Sequence, residues 1–179
     1  MGTISGAVLL MLLGVSSVTD LSRRKIYNWT TYCAVAWAFA INFVHRFDAV
    51  PQLGAIGLRQ SLLGFMGCFI VMLFVYSLAR GGAGDVKLAA AIGALVGFEA
   101  GVLVIATSYV IAGAAILLWS IWARGPISLL LAMGRFMGSA VFPRWILPPD
   151  RTDKLLLRKQ IPLAPFFAVG TLAVVGGLV

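Results

Sequence analysis

The chain has 179 residues, 61% of them apolar and 11% charged, with a mean hydropathy of +1.00. A water-soluble domain of this length has too little interior to hide so much apolar surface, which excludes the soluble globular class and points to an all-α integral membrane protein. The net charge of +8 would suggest nucleic acid in a soluble domain; here it is read as the basic loops that set membrane orientation, and no nucleic-acid partner is expected.

In chain order, six apolar runs approach the roughly 20 residues that a spanning helix needs. They are Gly2–Thr19, Trp29–Val44, Ser61–Ala79, Val86–Phe98, Ala100–Ala123 and Ile161–Val179. No basic residue precedes Met1–Val18, so the first run is expected to be a retained span rather than a cleaved signal peptide. The fourth run is short, and crossing would need local thinning or a recessed end. Placing the segments around Asp20, around Asp85 and from Arg124 to Lys159 in the cytoplasm puts 12 of the 14 basic residues there, leaving Arg46 and Arg59 outside. By the positive-inside bias both termini then lie on the far side, and Asp20 and Asp85 share the cytoplasmic side. Gly125–Pro143 is apolar but broken by Gly134, Arg135 and Gly138, so a helix lying in the interface is expected there, within a basic loop of about 124–160. The whole chain, 1–179, reads as one membrane domain without internal repeats.

Several features have structural readings. Cys33 and Cys68 are isolated and are expected to be small buried apolar groups, not a disulfide. His45 has no companion ligands, so neither a metal nor another cofactor is expected. Gly93, Gly97 and Gly101 recur every fourth residue, a flat stripe suited to close helix packing. Trp119, Trp122 and Trp145 read as interfacial anchors, Glu99 as a solvated residue of a short outer turn, and Arg46 with Asp48 as a weak exposed pair.

The residues with chemical potential are two aspartates at the ends of apolar runs. Asp20 is followed by Arg23, Arg24 and Lys25, and on its own reads as a helix-ending acid paired with a nearby cation. Asp85 on its own reads as the N-cap of the fourth helix. Capping does not require Gly81, Gly82 and Gly84, which suggest something packed tightly against the turn. Two aspartates brought to one site cannot easily both ionise, so they share a proton. One then draws a proton from water while the other protonates a carbonyl oxygen, the chemistry of aspartic proteases.

Gly82-Ala83-Gly84-Asp85-Val86-Lys87 resembles the GxGDxK signature of type IV prepilin peptidases, a family of GxGD membrane aspartic proteases. Asp20 with Arg23, Lys25, Ile26 and Asn28 resembles that family's first-aspartate motif, with Tyr27 where proline is usual. Ile161-Pro162-Leu163-Ala164-Pro165 resembles its proline-containing approach to the last helix. The resemblance implies Asp20 and Asp85 as the catalytic pair, with Gly82, Gly84 and Lys87 as supporting motif residues. It also implies a multi-pass protein of the bacterial inner membrane. Its substrates would be prepilin-like proteins with a short basic leader, cleaved after a glycine where the leader meets a hydrophobic helix. With no CxxC pair, the chain resembles the short forms serving Flp/Tad-type pili, and no N-methyltransferase activity is expected. Two other classes remain. A small proton-coupled transporter would place its acids near the bilayer midplane, and a non-enzymatic scaffold would tolerate Asp85→Asn, which still caps a helix.

Overall fold

The computed structural model describes residues 3–44, 55–79, 82–124 and 163–177, and these are helical with short connections. Six helices follow in order: α1 Thr3–Arg23, α2 Asn28–Val44, α3 Leu58–Ala79, α4 Ala83–Val96, α5 Phe98–Arg124 and α6 Ala164–Val175. Among the described residues three stretches are long and apolar enough to cross a membrane, Ile4–Arg23, Leu58–Leu78 and Phe98–Trp122. The expected interfacial helix, most of the basic loop, His45, Arg46, Asp48, Gly81 and Trp145 lie outside the described residues.

The described residues form two units. The first holds α1 to α4, α5 as far as Ile111, and α6. At its centre is α4, in which Val86 and every residue from Leu88 to Leu95 is buried. Its sequence explains this placement: alanine and glycine on all sides let neighbouring backbones close in from every direction. The helix has 14 residues, about 21 Å at 1.5 Å per residue against a hydrocarbon core of about 30 Å. Burial among other helices, rather than lipid contact, accounts for its uniform apolarity.

The α3–α4 contact is backbone on backbone. A Cβ added at Gly64 would strike the Gly93 carbonyl, and one added at Gly93 would strike the carbonyl of Gly64. Ser61 Oγ donates to Ala94 O across the same seam at 2.7 Å. Gly101 lies against Cys68 Sγ and the Gly93 Cα, so Gly93 and Gly101 pack as expected. Gly97 departs from the stripe: α4 ends before it, and its φ of 91° makes it the turn into α5. Cys68 is buried as expected, whereas Cys33 is exposed on α2. At the same end, buried Asn42 donates to Ala38 O and accepts from the N–H groups of Ile56 and Gly57 at 2.8 and 2.9 Å. One side chain thus fastens the end of α2 to the approach into α3, satisfying backbone donors that would otherwise be orphaned.

The described part of the second unit is the end of α5 from Ala112. There Trp119 and Trp122 are exposed, their ring centroids 6.1 Å apart, the disposition of interfacial anchors. Glu99, in the first turn of α5, is exposed.

Candidate active site

Asp20 belongs to the buried stripe of α1, formed by Ser5, Leu9, Leu12, Leu13, Ser16 and Asp20, which recurs at the three-to-four spacing of one helix face. The helix runs past Thr19 to Arg23, so the carboxylate is inside the last turns rather than in the loop beyond. Arg24, with φ of 51°, closes the helix and donates its N–H to Asp20 O at 3.0 Å. Asp20 is only 8% exposed, and its Oδ2 accepts the Ala164 N–H at 3.1 Å. Ala164 opens α6, where backbone donors have no partner within the helix. The expected pairing of Asp20 with a neighbouring cation is not what forms: Arg23, Arg24 and Lys25 are exposed, and Arg23 donates to Tyr27 Oη at 2.7 Å. Tyr27 therefore braces the turn between α1 and α2 through its side chain.

Asp85 lies in the first turn of α4, ahead of the apolar run and outside the three long helices. It is not the N-cap expected of it. Gly82 takes that place with extended backbone, and no side chain caps the helix. Asp85 sits three residues on and donates its N–H to Gly82 O at 3.1 Å. Burial pushes its carboxyl up from 3.8 to about 6, the charge of Asp20 pushes the same way, and the Gly82 backbone opposes both. The two sequence-predicted aspartates are therefore electrostatically linked across 65 residues of chain (85 − 20).

The motif residues around them interlock. A Cβ at Gly84 would lie 3.1 Å from Ile26 Cβ, so the turn after α1 presses on the first turn of α4 where only glycine leaves room. Lys87 Nζ donates to Asn28 Oδ1 at 2.9 Å and lies 5.8 Å from the centre of the Tyr32 ring, a hydrogen bond with added cation–π attraction. Gly82 is confined for another reason, a Cβ there coming within 3.0 Å of Asp85 Oδ2.

Sequence reasoning missed three residues. Tyr109 of α5 meets the Phe167 ring of α6 edge-on, the ring centroids 6.3 Å apart. Ser16 Oγ and Ser17 Oγ are buried without a hydrogen-bond partner. The serines could have been found from the spacing Ser-Ser-x-x-Asp, which sets both hydroxyls one turn from the carboxylate; nothing in the sequence singles out Tyr109.

A family model described as the type IV leader peptidase family matches residues 7–118, well over half of the chain. The chain belongs to the type IV leader peptidase family. As a member it is a protease, a hydrolase whose family acts on prepilin-like proteins. The stretch matched in this leader peptidase contains Asp20, Asp85 and the residues that interlock around them, while Ala164, which donates to Asp20, comes from beyond it. No curated protein and no solved structure gives a significant match.

Proposed function

We propose that this leader peptidase is an aspartic endopeptidase with Asp20 and Asp85 as its catalytic pair. It removes the short basic leader of prepilin-like proteins at the cytoplasmic face of the bacterial inner membrane. The observation that carries the reading is the half-buried Asp85 carboxyl, raised to about 6 by burial and by the charge of Asp20. A pair in which one acid holds its proton to higher pH than an ordinary carboxyl places a proton donor beside a second carboxyl that can serve as the base.

In the proposed reaction Asp20, oriented by the Ala164 N–H, takes a proton from water as the water oxygen bonds to the scissile carbonyl carbon. Asp85 gives its proton to the carbonyl oxygen. When the tetrahedral intermediate collapses, the carbon–nitrogen bond breaks, the leaving nitrogen takes the proton held by Asp20, and the hydroxyl proton returns to Asp85. Gly82 and Gly84 shape the turn, and Lys87 ties it to α2. Residues 1–179 act as one peptidase domain of six membrane-embedded helices, similar to the short forms of Flp/Tad-type pili.

Co-expression with a candidate prepilin tests this, with leader removal read as a mass shift for wild type, Asp20→Asn and Asp85→Asn at matched membrane levels. Cleavage by wild type, with a loss of at least about 1,000-fold in either variant, is the expected result. Cleavage by either variant at wild-type rates excludes the paired mechanism, and tolerance of Asp85→Asn alone is the outcome a purely structural Asp85 requires.

A further inference from the structure

A hydroxyl inside a helix ordinarily bonds back to the carbonyl one turn earlier. This protein follows the rule elsewhere: Ser22 donates to Val18 O, Thr107 to Leu103 O, Ser108 to Val104 O and Thr171 to Phe167 O. Ser61 bonds across to α4 instead, whereas Ser16 and Ser17 bond to nothing: among the described residues theirs are the buried side-chain oxygens that lack a partner. Ser16 is fully buried, at 0% exposed. An unpaired buried hydroxyl is a cost that a bound group could recover.

Their position limits what that group is. Ser16 and Ser17 precede Asp20 by four and three residues, so on the helix wheel they flank it at about 40° and about 60°. Side chains of a helix lean toward its N-terminus, which carries the Asp20 carboxylate over this pair. Both hydroxyls therefore lie one turn deeper along α1 than the carboxylate, on the side away from the exposed cations Arg23, Arg24 and Lys25.

We propose that Ser16 and Ser17 form a subsite for the peptide backbone of the substrate, on the hydrophobic side of the scissile bond; this rests on the peptidase reading above. A peptide bond must leave the helix to be attacked, and each unwound residue exposes an N–H and a C=O that an apolar surrounding cannot satisfy. A serine hydroxyl both donates and accepts, so the pair meets either group and does so without regard to side chain. The leader, being basic and polar, needs no such help outside the bilayer. The hydrophobic segment does, and it continues in the direction in which the serines lie.

The test is steady-state cleavage of a prepilin-like substrate in membranes or micelles by wild type, Ser16→Ala, Ser17→Ala and the double variant, with Asp85→Asn run alongside and thermal midpoints recorded for each. The expected result is a KM raised about fivefold to tenfold for Ser16→Ala, and more for the double variant, with kcat changed less and thermal midpoints unchanged or higher. Removing a hydroxyl that bonds nothing in the free protein does not lower stability, so loss of binding without loss of stability separates a subsite from a structural role. Unchanged KM in the double variant overturns the proposal, as does a fall in kcat alone, the mark of a hydroxyl orienting water. Wild-type cleavage that Asp85→Asn abolishes keeps the peptidase reading intact in either case, so the two fail separately.

Discussion

Asp20 and Asp85 differ in how the fold holds them. Asp20 is gripped by a backbone donor from a distant helix start, while Asp85 is raised to about 6 by burial and by the charge of Asp20. That shift has a sign that can be tested. Between 3.8 and about 6 the folded protein holds a proton on Asp85 that the unfolded chain has begun to release, so stability falls as pH rises through this window. Thermal unfolding in micelles should show a midpoint declining across that window in the wild type and a flatter response in Asp85→Asn, which has no proton to lose. Catalysis that uses the acid form of Asp85 declines over the same range, kcat/KM showing an alkaline limb with an apparent midpoint near 6 that belongs to the pair rather than to one residue. The two carboxylates were visible in the sequence because a charge beside an apolar run is costly. Ser16 and Ser17 left only the spacing Ser-Ser-x-x-Asp as a signal, and a serine in an apolar helix is ordinary until its hydroxyl is found without a partner.

At the scale of elements, α4 carries the fold. Its first turn holds Asp85, its middle is enclosed, and its Gly93 meets Gly64 of α3 with no side chain between the backbones. Gly93→Ala would force a methyl group onto the Gly64 carbonyl and separate the helices, at an expected cost of about 1–3 kcal/mol. Gly14→Ala is the control, since a Cβ there meets nothing within 4 Å, and it should be neutral or stabilising by up to about 1 kcal/mol from helix propensity. Reversible unfolding of both variants in mixed micelles checks the contrast, and equal effects would show that the seam is not close-packed. The apolar runs were legible in the sequence because length and hydropathy mark helices. Their ends were not: α1 runs on to Arg23 and α4 begins at Ala83, so both aspartates are inside helices. A carboxylate in a last turn and one just past it give the same local sequence signal, and the neighbours that bury Asp20 decide between them.

For the whole molecule, the contacts sort the helix ends. Asp20 at the end of α1, Asp85 at the start of α4 and Ala164 at the start of α6 meet at one end. The end of α2, the approach to α3 and the end of α4 meet at the other, through Asn42 with Ile56 and Gly57, and through Ser61 with Ala94. Given the basic loops, the aspartate end is expected in the cytoplasm. Single cysteines at Ser22 and Ala83, in a Cys33→Ser background, should react with an impermeant thiol reagent from the cytoplasmic side, and one at Gln60 from the opposite side. Labelling of all three from one side would reject this orientation. The amino-acid sequence by itself determined the membrane class, the apolar runs, the basic asymmetry and the two aspartates, because hydropathy and charge are properties of composition along the chain. Only the tertiary structure decided that Ala164 reaches Asp20, that Ile26 fills the space beside Gly84, that Lys87 finds Asn28 and that two serine hydroxyls go unpaired. Those facts depend on the rotation and depth at which separate helices pack, which are set by side-chain volumes summed over whole contacts and cannot be read from any one segment.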